Sequence, residues 1–567
     1  MSKNSLSLVS GSPQFASQEL ATLAKSEGDL EAWQRLIGAG GIESVGGVSG
    51  DFSVGFFDTT GRGFLAVDRF AIRSLCYRIV GDQLRFAARA DELVDAATEI
   101  DPQAIFDYLY FHVIPSPRTV FKGIFRLPAG HCAVFENGTL SVAPYWVPEF
   151  FELQKPVFAD LRAEFRHRLR DAVARQLDGG KPGCFLSGGT DSSTVAGMIG
   201  EASGQQAATY SIGFEAEGYD EMEYARIAAR HFKTEHHEYY VTPDDLVRSI
   251  PAVAQYYDQP FGNSSALPAY FCAKMAREDG ISKILAGDGG DELFGGNTRY
   301  AKQKVFGYYD AVPTLLRDAV LEPMLLNSPL GRLPLARKGA SYIAQAKVPL
   351  PDRTQTYNLL FRLGISKVFN SDFLGSVSIE EPISQQRAVW GQLNKKASQT
   401  NRELAFDWRY TLAECDLPKV VGTTALAGID VGFPMLDKDL VDFSMRLPTS
   451  YKLKGLNLRW FFKEALRGFL PDAIITKKKQ GFGLPFGVWA AQNSTLKALA
   501  EDSVRGLVER KILREDFVDV LFSRYLYEHP GYYGEMIWIS MMLEQWLRRD
   551  RNAEDRHDLV TPSISQS

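Results

Sequence analysis

The sequence predicts an α/β protein in which a doubly wound parallel sheet follows a β-rich first region. Between residues 50 and 146, short apolar runs alternate with Gly/Asp turns, which is typical of strands and hairpins. From residue 183 onward, strand patterns alternate with helical patterns, which favours parallel strands joined by helices. After about residue 300 the pattern is mostly helical.

Each element has a local signal. Apolar residues recur three and four apart between Phe158 and Leu177, and Gly179-Gly180 follows, so a helix is expected there. The other expected elements are strands or hairpins at 50–58, 63–70, 76–88, 131–146, 183–186, 207–214, 236–241 and at the start of 282–296, and helices at 192–200 and 219–232.

The length of 567 residues accommodates two or more domains with full cores. We expect a first domain over residues 1–150 and a second over 155–550, with a linker at Pro148–Pro156. The polar segment 552–567 is expected to be a disordered tail.

Composition excludes several function classes. The formal charge of −6 gives no support for a nucleic-acid partner, and no apolar run approaches the length of a membrane span. The five cysteines lie far apart without a C-x-x-C pair, which argues against a disulfide framework or a zinc site. A reducing cytoplasm is therefore the expected location.

The stretch CFLSGGTDSSTVAGMIG (184–200) predicts an anion site. Gly188 and Gly189 remove side chains where the backbone bends, and the N–H groups that begin the next helix attract anions. The hydroxyl donors around this turn are those of Ser187, Thr190, Ser192 and Ser193. The alternative is an N-capped turn with incidental serines.

This loop is not the usual nucleotide-binding loop, because no lysine follows its glycines. Asp191 stands there instead, which makes sense if it holds Mg²⁺ against phosphates. A second acidic turn, LAGDGGDELFGG (285–296), follows another predicted strand, so Asp191 and Asp291 could share one Mg²⁺. The alternatives for this turn are a calcium loop, whose alternating oxygen ligands are missing, and a solvated turn.

These motifs resemble a known family. S-G-G-T-D-S-S resembles the pyrophosphate loop of ATP pyrophosphatases, and with G-D-G-G-D-E-L-F-G-G it resembles the asparagine synthetase superfamily, which includes β-lactam synthetases and lasso-peptide cyclases. Further similar stretches lie at 211–225, 258–270, 428–437 and 477–486. The stretches at 50–58 and 68–78 resemble the later half of that superfamily's N-terminal nucleophile domain.

The resemblance implies ATP as substrate, Mg²⁺ as cofactor, and adenylation of a carboxylate followed by displacement of AMP by an amine or ammonia. It implies Mg²⁺ ligands at Asp191 and Asp291, and catalytic roles for Asp288, near the incoming nitrogen, and Lys479, facing the phosphates. The residues it assigns to ATP and pyrophosphate are Leu186, Ser187, Gly188, Gly189, Asp191, Ser192, Ser193, Ser211, Gly287 and Lys479. The alternative for Lys479 is one of three lysines in a solvated loop. A homodimer is compatible with the resemblance.

The chain departs from the family pattern at two places. Ser2 stands where the glutaminase half needs a nucleophilic cysteine, and the glutamine-binding segment is missing, so we expect a degenerate first domain. The alternative is an N-terminal serine nucleophile. In GIDVGFPMLD, Asp430 and Gly432 stand where family members often have Glu and Arg, which weakens aspartate as the substrate.

Our first hypothesis is an AMP-forming amide ligase without its own glutaminase, acting on a small-molecule or peptide carboxylate in the synthesis of a specialised metabolite, peptide or glycan precursor. The alternatives are an asparagine-type amidotransferase that uses ammonia or a separate glutaminase, a lasso-type isopeptide cyclase, and a non-enzymatic scaffold. Two intact phosphate loops and Lys479 argue against the scaffold.

Overall fold

The computed structural model of the chain describes residues 7–310, 312–317, 319, 322–326, 334–478 and 483–549. The predictions made for Ser2, for Lys479 and for the tail at 552–567 lie outside these residues.

The first region is built on antiparallel strands, and the predicted hairpins at 76–88 and 131–146 are confirmed. One sheet has the order β1-β4-β5-β9-β10 and another the order β7-β6-β8. The strands are β1 (Leu8–Gly11), β2 (Gln14–Phe15), β3 (Val48–Ser49), β4 (Phe52–Phe57), β5 (Gly63–Val67), β6 (Cys76–Val80), β7 (Gln83–Ala87), β8 (Ile124–Arg126), β9 (His131–Glu136) and β10 (Thr139–Pro144).

Helices that the strand patterns did not predict cover this region: α1 (Gln18–Glu27), α2 (Asp29–Gly40) and α3 (Pro102–Phe111). Trp33 of α2 is fully buried, with ring centroids 5.5 Å from Phe15 and 5.0 Å from Phe52. The tryptophan anchors α2 on the sheet because such aromatic contacts bury a large apolar area.

The second region contains the predicted parallel sheet, with the order β13-β12-β11-β14-β15. Its last strand, which the sequence did not predict, joins the edge beside β14. The strands are β11 (Gly183–Phe185), β12 (Ala208–Phe214), β13 (Glu235–Val241), β14 (Lys283–Leu285) and β15 (Asp430–Gly432). The helix α4 (Phe158–Gln176) precedes these strands, and the helices between them include α5 (Thr190–Ser203), α6 (Met222–Phe232), α7 (Pro243–Tyr256), α8 (Ala266–Glu278) and α9 (Gly290–Phe294).

The order of the strands fixes where a ligand can bind. β11 lies beside β14, and the chain leaves β11 towards β12 but leaves β14 towards β15 on the opposite side. In open parallel sheets, ligands bind outside the carboxyl ends of the strands where the strand order reverses. Both glycine-rich loops follow those carboxyl ends, as predicted.

The rest of the second region is helical. A π-helix (Trp408–Asp416) precedes the helix Leu417–Ala427 and contributes to the site below. The longer remaining helices are Thr298–Asp310, Pro334–Ala346, Glu381–Gln392, Gln399–Asp407, Lys438–Arg446, Ser494–Glu509 and Pro530–Leu547. Among the described helices, none combines the length and the apolar character needed to cross a bilayer.

The two regions are in close contact. The rings of Trp146 and Trp408 are stacked, with 6.1 Å between centroids. The buried carboxylate of Glu414 accepts a hydrogen bond from Ser116 at 2.6 Å. The expected linker also contacts the second region, where Leu153 N–H donates to Arg446 C=O at 2.9 Å. The domain limits 1–150 and 155–550 remain predictions.

Candidate active site

The loop after β11 is shaped by a close approach to α6. Gly188 has φ +70°, and a Cβ there would lie 2.5 Å from the backbone nitrogen of Ala225. Only glycine fits both conditions. Inside the loop, the Ser187 N–H donates to Ser192 Oγ at 3.1 Å, and the two hydroxyls are 3.1 Å apart. These hydrogen bonds therefore stabilise the conformation of the loop at the start of α5.

Two other residues predicted to bind ATP or pyrophosphate, Ser193 and Ser211, are buried. The Ser193 side chain is fully buried, and its hydroxyl finds no hydrogen-bond partner within the described part of the chain. The buried Ser211 hydroxyl donates to the carbonyl of Leu186, which ties β12 to the loop.

The loop after β14 lies directly against the first loop. A Cβ on Gly287 would lie 2.8 Å from the backbone nitrogen of Ser192, and one on Gly290 would lie 1.9 Å from Asp191 Oδ1. The absence of side chains at these glycines lets the two acidic turns meet. The sequence predicted this meeting from the strand ends.

A guanidinium joins the two acidic turns. Arg459 Nη1 lies 2.6 Å from Asp191 Oδ2, 2.7 Å from Asp291 Oδ1 and 3.0 Å from Thr190 Oγ1. Its Nη2 also donates to Asp191. Burial alone would lower the pKa of Arg459, but the carboxylates of Asp191 and Asp291 outweigh it and raise the pKa.

Asp288 faces a second cation. Lys419 Nζ lies 3.1 Å from Asp288 Oδ1 and 3.7 Å from Asp416 Oδ1, and the lysine side chain is 15% exposed. Burial opposes the charge on Lys419, but Asp288 and Asp416 raise its pKa above the ordinary value. Burial raises the pKa of Asp416, an effect that Lys419 partly opposes. Asp416 ends the π-helix, a geometry often found at functional sites.

Comparison with known proteins identifies the family of this chain. The sequence pattern described as Asparagine synthase matches residues 164–548, more than half of the chain, and that of a Glutamine amidotransferase domain matches residues 16–146. The chain belongs to the asparagine synthase family. It is accordingly an ATP-dependent carbon–nitrogen ligase, and the superfamily and fold class expected from its motifs are confirmed.

Several known proteins are similar to half or more of this chain. Asparagine synthetase [glutamine-hydrolyzing] 1 of Bacillus subtilis is 26% identical over 492 residues, which cover 85% of this chain and 74% of that protein. Putative asparagine synthetase [glutamine-hydrolyzing] 2 of Methanocaldococcus jannaschii is 32% identical over 299 residues, 51% of this chain and 58% of that protein. Amidase chry2 of Gibberella zeae is 23% identical over 508 residues, 79% of this chain and 71% of that protein.

The lysine run of this asparagine synthase family member is not uniformly solvated. Lys477 is 8% exposed, pairs with Glu221 at 2.8 Å and lies over the Tyr224 ring, 4.4 Å from its centroid. The solvated-loop interpretation is therefore wrong for Lys477, because Glu221 and Tyr224 at the start of α6 bury it. Lys478 is exposed, and Lys479 lies outside the described residues.

The departures at Asp430 and Gly432 have local structural consequences. Asp430 pairs with Arg73 of the first region at 2.7 Å. A Cβ on Gly432 would lie 2.6 Å from Gln176 Oε1, the end of a flexible side chain that would have to move for a larger residue.

Sequence reasoning missed three residues of this site: Arg459, Lys419 and Asp416. Arg459 and Lys419 each lie more than a hundred residues from the aspartates they contact, and Asp416 joins the site through its pairing with Lys419. The only local signal is the position of Asp416 and Lys419 shortly before the family stretch at 428–437. Arg459 has no spacing pattern that would identify it.

Proposed function

We propose that this ligase adenylates a carboxylate with ATP, releases pyrophosphate, and transfers the acyl group to an amine without a glutaminase activity of its own. We further propose that it acts in the cytoplasm on a small-molecule or peptide acid. Five free cysteines support a reducing compartment.

One observation carries the proposal. Two acidic, glycine-rich turns follow adjacent parallel strands, and Asp191 and Asp291 of these turns direct their carboxylates at one cationic point. The phosphates of a nucleoside triphosphate bound beside these turns would lie at the amino end of α5. This helix has 14 residues, and its dipole favours anions at that end. The loop lacks the lysine of the usual phosphate loop, and its resemblance to the pyrophosphate loop of ATP pyrophosphatases favours cleavage at the α-phosphate.

The site divides into two sides that fit the two chemical steps. On the phosphate side, a carboxylate oxygen attacks the α-phosphorus, the bond to the bridging oxygen breaks, and pyrophosphate leaves. On the acceptor side, the amine nitrogen attacks the acyl carbon and AMP leaves with the carboxylate oxygen. Asp288 accepts the amine proton, and Lys419 holds Asp288 in place.

Asp191 and Asp291 fit a divalent cation. Both are carboxylates, the donors that Mg²⁺ prefers, and both have an oxygen within 2.7 Å of a single cationic nitrogen. Bound Mg²⁺ would neutralise phosphate charge at this point.

The first region supports the absence of a glutaminase. Residues 16–146 contain two cysteines, Cys76 and Cys132, and both are buried. Burial raises the pKa of each thiol, so neither is a ready nucleophile.

A second candidate is an asparagine-type amidotransferase that uses free ammonia. The name of the Bacillus subtilis relative, an asparagine synthetase, favours an asparagine-type product, but the nitrogen source in that name is glutamine and not free ammonia. The glycine at 432 favours a different carboxylate, because the arginine that family members often carry at this position is missing.

A pyrophosphate-release screen tests the proposal. The full chain is incubated with ATP and Mg²⁺ and a panel of carboxylic acids that includes aspartate, with and without amines or ammonia. We expect pyrophosphate and AMP to form only with particular acids. Formation of ADP and orthophosphate would contradict the assignment.

The absence of a glutaminase has a separate test. We expect no release of glutamate from glutamine by the full chain, and no change in Cys76→Ser or Cys132→Ser. Glutamate release that Ser2→Ala abolishes would instead identify an N-terminal serine nucleophile.

A further inference from the structure

The guanidinium of Arg459 stands at the point where Asp191 and Asp291 converge. Its side chain is 5% exposed, and Nη1 alone contacts oxygens of both carboxylates and of Thr190, at 2.6 to 3.0 Å. A cation therefore already lies where the proposed metal ligands meet.

The backbone around Arg459 is adapted to this position. Arg459 has φ +55°, a left-handed conformation that is unfavourable for a residue with a side chain. It directly precedes the helix Trp460–Ala465, and its guanidinium lies 4.1 Å from the Phe462 ring centroid. The strained backbone and the ring hold the guanidinium in a fixed place.

Two neighbouring glycines, Gly290 and Gly296, also leave the space that the two carboxylates occupy. A Cβ on Gly290 would lie 1.9 Å from Asp191 Oδ1, and one on Gly296 would lie 1.7 Å from Asp291 Oδ1. Any side chain at either position would push a carboxylate away from Arg459. The glycines at 290 and 296 thus allow the two carboxylates and the guanidinium to lie in contact.

We propose that Arg459 is the resident counter-ion of Asp191 and Asp291 and that it competes with Mg²⁺ for them. This inference rests on the proposed function, because it takes these carboxylates as the metal ligands. A metal ion that arrives alone must displace a buried cation, so free Mg²⁺ binds weakly. When ATP arrives with Mg²⁺, phosphate oxygens can become the partners of the guanidinium while the metal takes the carboxylates. Metal and nucleotide therefore enter together.

A second arginine, Arg73, provides a control for Arg459. Arg73 also joins two aspartates, with Nε 2.6 Å from Asp51 and Nη2 2.7 Å from Asp430, and it is 18% exposed. Its two carboxylates contact different nitrogens, whereas those beside Arg459 share one. Replacing Arg73 removes the cation from Asp51 and Asp430, but the carboxylates of these two aspartates do not converge on one point.

The test uses Mn²⁺ as the probe and the full chain without nucleotide, with free Mn²⁺ followed by electron paramagnetic resonance. We expect Arg459→Met to bind Mn²⁺ about tenfold more tightly than the unsubstituted chain, a typical size for coupling between two ligands. Arg459→Lys keeps the positive charge and should stay close to the unsubstituted chain. Arg73→Met should not change Mn²⁺ binding. Equal or weaker Mn²⁺ binding in a folded Arg459→Met variant would overturn the proposal.

A measurement on the unsubstituted chain keeps the proposal testable if Arg459→Met does not fold. Mg²⁺ alone should leave the melting temperature nearly unchanged, whereas Mg²⁺ with ATP should raise it. Equal stabilisation by Mg²⁺ alone and by Mg²⁺ with ATP would overturn the role of Arg459. No stabilisation by Mg²⁺ with ATP would instead contradict the proposed function itself.

Discussion

The proposed phosphate and acceptor sides of the candidate site share one arrangement, a cation between two aspartates, but they use different cations. Arg459 on the phosphate side is 5% exposed and takes both carboxylates on one nitrogen. Lys419 on the acceptor side is 15% exposed and lies 3.1 and 3.7 Å from its two carboxylates. The acceptor side is therefore the looser of the two.

This difference follows from the chemistry of the two side chains. A guanidinium is planar, keeps its charge at all relevant pH values, and presents several donors in fixed directions. An ammonium is a compact charge on a flexible stem. Arg459 is thus the more rigidly fixed of the two cations, and Lys419 the more flexible one.

A third buried cation shows what the aspartates contribute. Lys452 is fully buried, but its Nζ donates to the amide oxygen of Asn401 at 2.8 Å instead of to a carboxylate. Burial lowers the pKa of Lys452 to about 7, whereas the pKa values of Arg459 and Lys419 are raised. Carboxylate partners, which Lys452 lacks among the described residues, therefore keep Lys419 charged despite its burial.

The largest expected effect separates the two sides. Asp288→Asn should slow amide formation by about 10²–10⁴, the usual contribution of a general base. Exchange of labelled pyrophosphate into ATP, with an acid found in the screen, should remain largely intact. Asp191→Asn is the matched variant on the phosphate side and should slow both reactions. Loss of pyrophosphate exchange in Asp288→Asn would move Asp288 to the phosphate side.

The next effect concerns Lys479, whose role is predicted from the sequence. Lys479→Ala should slow both amide formation and pyrophosphate exchange by about 10²–10³, because it removes positive charge from both transition states. The proper control is Lys478→Ala, since Lys478 is exposed while Lys477 is buried against Glu221. Equal and mild effects of Lys478→Ala and Lys479→Ala would remove Lys479 from the site.

The smallest effect is a pH dependence of stability at Lys452. The folded pKa of about 7 lies below the ordinary value of 10.5, so unfolding takes up a proton between these pH values. The stability cost of burying Lys452 is fully present below pH 7 and is relieved as the pH rises towards 10.5. Relative to Lys452→Met, the unfolding free energy of the unsubstituted chain should rise by up to about 1.4 kcal/mol per pH unit in that window. Urea unfolding of both proteins at pH 7 and pH 9 checks this, and a constant difference would contradict it.

Local patterns were sufficient for much of the fold. Alternation of strands and helices predicted β11 to β14, and turns after β11 and β14 located the two acidic loops at one edge. The helix α2 was missed although its segment carries a local helical signal, since Leu30, Trp33 and Ile37 recur three and four residues apart. The prediction for this region rested on the strand patterns that begin at residue 50 and did not extend to residues 18–40. β15 was missed because three residues become a strand only through pairing with β14.

The same limit applies to the candidate site. Asp191, Asp288 and Asp291 stand in short glycine-rich motifs, so the sequence was sufficient to predict them as site candidates, Asp288 through the family resemblance. Arg459 and Lys419 were missed because tertiary packing, not spacing, brings each cation to its aspartates. The charge balance of the site is thus a property of the fold.

The most direct test of the central claim follows the carboxylate oxygens. An acid found in the screen is labelled with ¹⁸O in its carboxylate and converted to its amide with ATP and Mg²⁺. If the acid attacks the α-phosphorus, one ¹⁸O atom must appear in AMP when the amine displaces it, and mass spectrometry of AMP detects it. Appearance of ¹⁸O in orthophosphate, with ADP as the other product, would contradict the account.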